Sequence, residues 1–127
     1  MAAVTELGYV GLNITDAAAW RKFATEIVGL EVLDEGEADR FYLRMDYWHH
    51  RFVMHLSDVD DMAYTGWRVA DEQALDEIKA QLDQAGFSYR VGTFEEAAER
   101  RVLGLIKLED PSGNPVEIFY APLINSH

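Results

Sequence analysis

The stretch Leu108-Glu109-Asp110-Pro111-Ser112-Gly113-Asn114-Pro115-Val116-Glu117-Ile118-Phe119-Tyr120 holds a tight turn that leads into a strand, and it decides the fold. Two prolines, a glycine and an asparagine fall within five positions. Proline presets φ, and glycine and asparagine tolerate positive φ, so the chain reverses here. Strand side chains alternate between faces, so Glu117 lies on the other face of the strand from Val116 and Ile118. An acid among apolar strand residues must be paired, protonated or metal-bound if it is buried.

The composition is that of one soluble globular domain. The 127 residues are 49% hydrophobic and 27% charged, which is enough for a core but not for two large domains. Cysteine is absent, so disulfides and thiolate metal sites are excluded, and we expect a cytoplasmic location. No apolar run approaches the ~20 residues of a membrane span. The formal charge of −12 disfavours nucleic acids and anionic membranes as partners.

The first half of the chain predicts one strand, one helix and three further strands. Residues 7–14 alternate in the manner of a half-buried strand. Apolar residues between Asp16 and Gly29 recur at i, i+3, i+4 and i+7, which predicts an amphipathic helix. Asp16 can cap its N-terminus, and Gly29 can end it. This apolar stripe consists of Trp20, Phe23, Ala24 and Ile27. The later strands are predicted over residues 30–33, 40–45 and 51–56.

The second half repeats this order of elements. Residues 63–69 copy the first strand at an offset of 55 residues. The matching pairs are Tyr9 and Tyr64, Gly11 and Gly66, Ile14 and Val69, and Asp16 and Asp71. A second amphipathic helix contains Leu75, Ile78 and Leu82 and ends at Gly86. Strands are predicted over residues 88–91, 103–109 and 116–120, with a short helix or ordered loop at 94–99.

The duplication predicts an α+β fold in which two βαβββ modules, residues 5–57 and 62–121, form one domain. Residues 122–127 are a tail or the start of an interdomain linker. Each module packs its helix on one sheet face, so we expect the opposite face to be exposed. Two modules placed edge to edge would curve these free faces into one cleft. Alternation assigns to the free side Tyr9, Val53, His55, Tyr64 and Glu117.

The paired modules and the closing turn resemble the vicinal oxygen chelate superfamily, which includes glyoxalase I, bleomycin-resistance proteins and type I extradiol catechol dioxygenases. An ordered set of matches across nearly the whole chain is more specific. It resembles the N-terminal domain of extradiol dioxygenases acting on bicyclic catechols, such as 2,3-dihydroxybiphenyl dioxygenase. The matches are Leu7-Gly8-Tyr9-Val10, Ala19-Trp20-Arg21, Leu30-Glu31-Val32, Tyr42-Leu43-Arg44-Met45-Asp46, Gly66-Trp67 and Ala98-Glu99-Arg100-Arg101-Val102.

The resemblance implies a division of labour between this chain and a second pair of modules. In that branch the second pair holds Fe(II) and cleaves the ring of a small aromatic diol. This chain would be the non-catalytic N-terminal domain, with no catalytic residue and no bound cofactor. Its partners would be the C-terminal catalytic domain and identical subunits of a homo-oligomer.

The superfamily's four ligand positions fall, by resemblance, on Tyr9, His55, Tyr64 and Glu117. The iron-bearing domain has histidine at both opening-strand positions and glutamate at the last, a 2-His-1-carboxylate set. Here both histidines are replaced by tyrosine, whose neutral phenol is a poor ligand near pH 7 because its unperturbed pKa is about 10. We therefore predict no metal site. Glu117 would be a structural acid bonded to a tyrosine hydroxyl and His55 a satisfied core residue, with a ligand role as the alternative for each.

A histidine pair, His49 and His50, lies between two predicted strands beside Trp48. Adjacent strand positions point to opposite faces, so a surface turn or an interdomain contact is favoured over a metal clamp. Trp48, with Tyr47 and Met45, would form an exposed apolar patch on which a partner domain or subunit docks.

Two other functions compete with the dioxygenase domain. A stand-alone protein of the bleomycin-resistance kind would bind a small molecule in the cleft, and the charge of −12 favours a cationic one. A one-domain metal enzyme could instead complete its ligand set across a dimer. The metal enzyme is disfavoured by the same two tyrosines, Tyr9 and Tyr64, at ligand positions.

Overall fold

The computed structural model describes residues 2–46 and 48–122. Within these ranges it contains strands and helices of the predicted α+β class, which is confirmed. The strands are β1 (Glu6–Ile14), β2 (Glu31–Leu33), β3 (Arg40–Arg44), β4 (Phe52–Leu56), β5 (Asp61–Arg68), β6 (Arg90–Val91), β7 (Val102–Glu109) and β8 (Pro115–Pro122). The helices are α1 (Ala17–Lys22), a π-helix (Phe23–Val28), α2 (Glu72–Ala85) and α3 (Phe94–Arg100). None of the helices in the described part of the chain is long and apolar enough to cross a membrane.

The chain divides into two compact units. The first unit is Tyr9–Ala63, and the second begins at Tyr64 and includes the start of the chain through Gly8. In the first unit the strand order is β2-β3-β4-β1, with β1 and β4 parallel. In the second unit it is β6-β7-β8-β5, with β5 and β8 parallel. The two units therefore share one topology, as the internal repeat predicts.

The helix caps show the same repeat. The side chains of Asp16 and Asp71 each accept a hydrogen bond from the backbone N–H three residues on, at 3.0 and 2.8 Å. Such a cap stabilises a helix by about 1 kcal/mol. Gly29 and Gly86 follow the π-helix and α2 with φ of 84° and 80°, the left-handed conformation that glycine adopts at low cost.

Each unit buries an apolar core beneath its own helices. The core of the first unit contains Ile14, Ala24, Phe41, Leu43 and Met54. The core of the second unit contains Val69, Leu75, Ile106 and Ile118. Met54 and Ile118 face the helices, as strand alternation predicts.

The apolar stripe predicted for the first helix is wrong at Phe23 and Ile27. The helix widens into a π-helix, in which the Gly29 N–H donates to the Ala24 carbonyl five residues back. This wider turn moves residues spaced for an α-helix off their common face. Ala24 stays in the core, whereas Phe23 and Ile27 are 48% and 73% exposed.

Candidate functional site

Glu117 on β8 lies against Arg100, the last residue of α3. Arg100 Nε is 2.8 Å from Glu117 Oε1, and its Nη2 is 2.9 Å from Oε2, which makes a bidentate pair. Glu117 is only 3% exposed and Arg100 only 6%. The pair compensates for the hydration that both charges lose on burial. The sequence predicts that a buried Glu117 needs a partner, but it does not identify Arg100 as that partner.

The position of Arg100 follows from how α3 begins. The Thr93 hydroxyl accepts from the Glu96 backbone N–H at 3.1 Å, and the Glu96 carboxylate accepts from the Thr93 N–H at 2.9 Å. This capping box satisfies two backbone donors and fixes the first turn. Arg100 lies in the last turn of α3, where a cation also interacts favourably with the helix dipole.

Further charges surround this pair. Lys107 Nζ lies 2.8 Å from Glu96 Oε2 and 3.6 Å from Glu117 Oε2. Arg90 donates to both oxygens of Glu96, at 2.7 and 2.8 Å. The hydrogen bonds from Arg90 and then Lys107 hold the pKa of Glu96 well below its usual range. Glu96 is therefore a fixed anion that links the α3 cap to β7.

Tyr64 on β5 lies against the same guanidinium. Arg100 Cζ is 4.0 Å from the centroid of the Tyr64 ring, and the ring is buried. A cation over a desolvated aromatic face contributes about 2 kcal/mol. We call Tyr64, Arg100 and Glu117 the Arg100 cluster. Two of its members, Tyr64 and Glu117, stand at ligand positions of the superfamily, and here both contact the side chain of Arg100.

The strand register shows that His55 is not the residue of the first unit that is equivalent to Glu117 in the second unit. Glu117 lies opposite Gly66 in the parallel β5–β8 pair. Gly66 repeats Gly11, and Val53 lies opposite Gly11 in the β1–β4 pair. His55 is two residues further along β4 and is partly exposed. The counterpart of Glu117 is therefore Val53, whose side chain offers no donor atom to a metal.

The histidine pair is buried, so the predicted surface turn is wrong. The Nδ1 atoms of His49 and His50 are 3.2 Å apart, and His49 Nε2 is 2.7 Å from Glu35 Oε1. The Tyr42 ring packs on both imidazoles, with centroids 5.1 and 4.9 Å away. The Tyr42 ring and the Glu35 carboxylate are thus among the groups that surround these two rings on burial.

Trp48 is also buried, which contradicts the predicted exposed patch at this residue. The Arg51 guanidinium lies 3.7 Å from the Trp48 ring centroid. Asp46 Oδ2 accepts from Arg51 Nε and Nη2 at 2.9 and 2.7 Å, which holds the cation in place. Met45 is exposed as predicted, and Tyr47 lies outside the described residues.

The sheet positions expected to be free are mostly filled. Buried among them are Tyr9, Val53, Tyr64 and Glu117, whereas His55 is partly exposed. Aromatic rings cover this face in the first unit, where Tyr9 and His50 have centroids 5.5 Å apart. In the second unit α3 brings Arg100 onto Glu117. The expectation of an exposed face in each module is therefore wrong at these positions.

The Fe(II) that the family resemblance implies for the parent enzyme does not fit the residues present in this chain. Across residues 2–46 and 48–122, no three His, Asp or Glu side chains lie close enough together to hold a metal ion. The guanidinium of Arg100 engages both carboxylate oxygens of Glu117, and Val53 replaces the equivalent acid in the first unit. The arrangement neutralises a buried acid internally and occupies both oxygens that a metal ion would need.

Known proteins resemble this chain in both sequence and fold. A family model, Dihydroxybiphenyl dioxygenase BphC D1, matches residues 7–56. A biphenyl-2,3-diol 1,2-dioxygenase from Sphingomonas paucimobilis is 60% identical over 127 residues, which are 100% of this chain and 42% of that protein. An iron-dependent extradiol dioxygenase from Rhodococcus jostii is 35% identical over 118 residues, 93% of this chain and 39% of that protein. A crystal structure of catechol 2,3-dioxygenase matches with a TM-score of 0.98 and 56% identity, covering 99% of this chain and 42% of that chain. This chain thus spans about two fifths of the length of these relatives.

Proposed function

We propose that this chain, whose sequence and fold resemble those of the N-terminal part of extradiol dioxygenases, is the non-catalytic domain of an Fe(II)-dependent enzyme that cleaves bicyclic aromatic diols. The observation that carries the proposal is the Arg100 cluster. An internal guanidinium takes both oxygens of the acid that stands at a ligand position. Iron and substrate would then belong to a C-terminal pair of modules.

The role left to this chain is packing and assembly. Its charged and apolar surfaces would support the C-terminal catalytic domain and identical subunits in a cytoplasmic homo-oligomer. Insertion of both atoms of O2 beside the diol would take place in the C-terminal domain. The Arg100 cluster supports this role because a buried, paired acid organises α3 and β8 without needing a bound ion.

A fusion experiment tests the proposal. Residues 1–122 are joined to the C-terminal part of the Sphingomonas paucimobilis relative, and O2 uptake is measured with 2,3-dihydroxybiphenyl. We expect turnover and one iron per fusion chain, and neither turnover nor retained iron for the 127-residue chain. Two irons per fusion, or ring cleavage by the 127-residue chain alone, would show that the assignment is wrong.

The two competing functions find less support in the geometry. A stand-alone binding protein needs an open sheet face, but Tyr9, Val53 and Phe119 are buried. A metal enzyme completed across a dimer needs a ligand that can be released, but Glu117 is held by a bidentate arginine. Both observations favour the non-catalytic domain.

A further inference from the structure

A depression of about 250 Å³ opens in the second unit between α2, α3 and the strands β6, β7 and β8. We call it the α2–α3 pocket, and none of its lining residues belongs to the Arg100 cluster. Two of them are glycines. A Cβ added at Gly104 would lie 2.6 Å from Tyr120 Cε1, and one added at Gly92 would lie 2.7 Å from Leu105 Cδ2. Glycine at both positions therefore lets the Tyr120 ring and the Leu105 side chain lie against the backbone and form part of the pocket wall.

Three large apolar side chains of the α2–α3 pocket are exposed to solvent. Val91, Phe94 and Leu103 are 56%, 85% and 73% exposed, and all three line the pocket. They come from β6, α3 and β7, so three separate elements direct apolar groups to one place. Phe94 is the first residue of α3, whose capping box fixes the backbone there. Exposed apolar residues gathered around a concave surface are typical of a ligand site.

The charges of the α2–α3 pocket are mainly negative. Glu72 and Asp76 both line it and lie four residues apart on α2, which places them on one face of the helix. Lys79 also lines it, and its Nζ is 3.3 Å from Asp76 Oδ1. Glu72 forms no ion pair with any residue in the ranges 2–46 and 48–122. Burial, followed by the charges of Glu72 and Asp76, raises the pKa of the Tyr120 phenol. Both carboxylates therefore act on the aromatic wall of the pocket.

We propose that the α2–α3 pocket binds a small organic cation, in which an ammonium group is attached to an aromatic or branched apolar body. Glu72 and Asp76 attract the ammonium group, and the rings of Phe94 and Tyr120 offer it aromatic faces. Leu103 contacts the apolar body. Sites for drug-sized ligands have volumes of roughly 300–1,000 Å³, so a pocket of about 250 Å³ suits a single ring with a short ammonium arm. The inference does not depend on the dioxygenase assignment.

An NMR titration of the ¹⁵N-labelled 127-residue chain with 2-phenylethylammonium tests the proposal. This amine, like lysine, is protonated at pH 7. The matched probe is 2-phenylethanol, which has the same ring and arm without the charge. We expect shifts concentrated at the backbone amides of Gly92, Thr93 and Gly104, which line the pocket, and an affinity for the alcohol at least about tenfold weaker. About 1 M NaCl shortens the screening distance to about 3 Å and should weaken binding of the ammonium probe alone.

Variants on α2 identify the carboxylates that hold the cation. Glu72→Gln should weaken binding of 2-phenylethylammonium several-fold, and Glu72→Gln combined with Asp76→Asn at least about tenfold. The matched control is Glu77→Gln, which removes the same charge from the same helix outside the pocket lining and should leave the affinity unchanged. Phe94→Ala should weaken both probes, because both lose contact with the ring. The amide spectrum of each variant checks that it folds.

Equal affinities for the two probes, shifts that lie away from the pocket, or unchanged binding in the Glu72→Gln, Asp76→Asn double variant would overturn the proposal. The same titration of the fusion described above shows whether the site stays open beside a C-terminal domain. We expect the fusion to bind the ammonium probe as the 127-residue chain does. Loss of binding in the fusion would mean that the C-terminal part covers the pocket, which would also overturn the proposal. Ring cleavage is not a readout here, so these outcomes leave the proposed function untouched.

Discussion

The two units place different residues at the same strand position and stabilise them in different ways. Val53 on β4 and Glu117 on β8 lie opposite equivalent glycines, and both are buried. Valine needs only apolar neighbours there. Glutamate needs a cation, which Arg100 supplies. The comparison teaches that a repeated backbone does not dictate repeated chemistry, because the buried charge depends on a partner from α3, which has no counterpart in the described segment between β2 and β3 of the first unit.

That partner comes from the segment in which the units differ most. β6 and β7 are joined through α3, whereas a loop of residues 34–39 joins β2 and β3. The helix carries Arg100 to Glu117, and the loop carries Glu35 to His49 at 2.7 Å. Each connection thus brings a charged residue to buried polar groups of its own unit.

Removing the arginine should produce the largest effect. In Arg100→Ala, Glu117 stays buried after losing its bidentate partner, and we expect the free energy of unfolding to fall by about 3–5 kcal/mol. Urea denaturation measures this loss. The control is Arg90→Ala, because Arg90 is largely exposed and solvent screens its ion pair with Glu96, so we expect a much smaller loss. Equal stabilities of the two variants would contradict the role of the Arg100 cluster.

Placing the acid in the other unit should cost nearly as much. Val53→Glu puts a carboxyl at the position of Glu117 in the unit whose described residues form no helix equivalent to α3 and its Arg100, and we expect a loss of about 3 kcal/mol in unfolding free energy. Leu56→Glu, at an exposed position on the same strand, should cost much less. Denaturation curves of both variants give the comparison. If Val53→Glu were as stable as the parent chain, the difference between the units would have another cause.

Removing both charges of the pair should cost little. Arg100→Met combined with Glu117→Leu makes this strand position apolar, as Val53 does in the first unit, and we expect stability within about 1 kcal/mol of the parent. A double-mutant cycle with the two single variants isolates the coupling between the side chains. Additive losses would mean that the two residues act independently.

The smallest effect concerns pH. The folded-state pKa of Glu96 is depressed, so its contribution is present above the unfolded pKa of about 4.3 and is lost as pH falls through the folded value. Unfolding free energy between pH 7 and 3 should therefore fall less in Glu96→Gln than in the parent, by about 1 kcal/mol or less for a partly exposed group. Glu95→Gln is the matched control, because it removes a carboxylate from the same turn and leaves the hydrogen bonds of Glu96 in place. If unfolding free energy had the same pH dependence in Glu96→Gln and in the parent, the ion pairs of Glu96 would not stabilise the fold.

The sequence predicts the repeat well because its signals are local. Alternation in residues 7–14 and 63–69 specifies the opening strands, and Asp16 and Asp71 specify where the helices begin. The site is harder to predict, because Arg100 reaches Glu117 across 17 residues and nothing in α3 alone reveals which side chain is buried. The π-helix escapes prediction because a helical pattern is read with α-helical spacing.

The buried histidines show the same limit. His49 and His50 lie in a connecting segment, which usually means exposure. They are buried because Tyr42 and Glu35 reach them from other parts of the first unit. A tertiary contact of this kind leaves no periodic signal in the residues around the pair.

The central claim is that an internal arginine, rather than a metal ion, neutralises Glu117. Its most direct test is anaerobic equilibration of the 127-residue chain with Fe(II), followed by gel filtration and iron quantification, with Glu117→Gln run in parallel. The account predicts no retained iron in either protein. One equivalent of iron retained by the parent chain and lost from Glu117→Gln would contradict it.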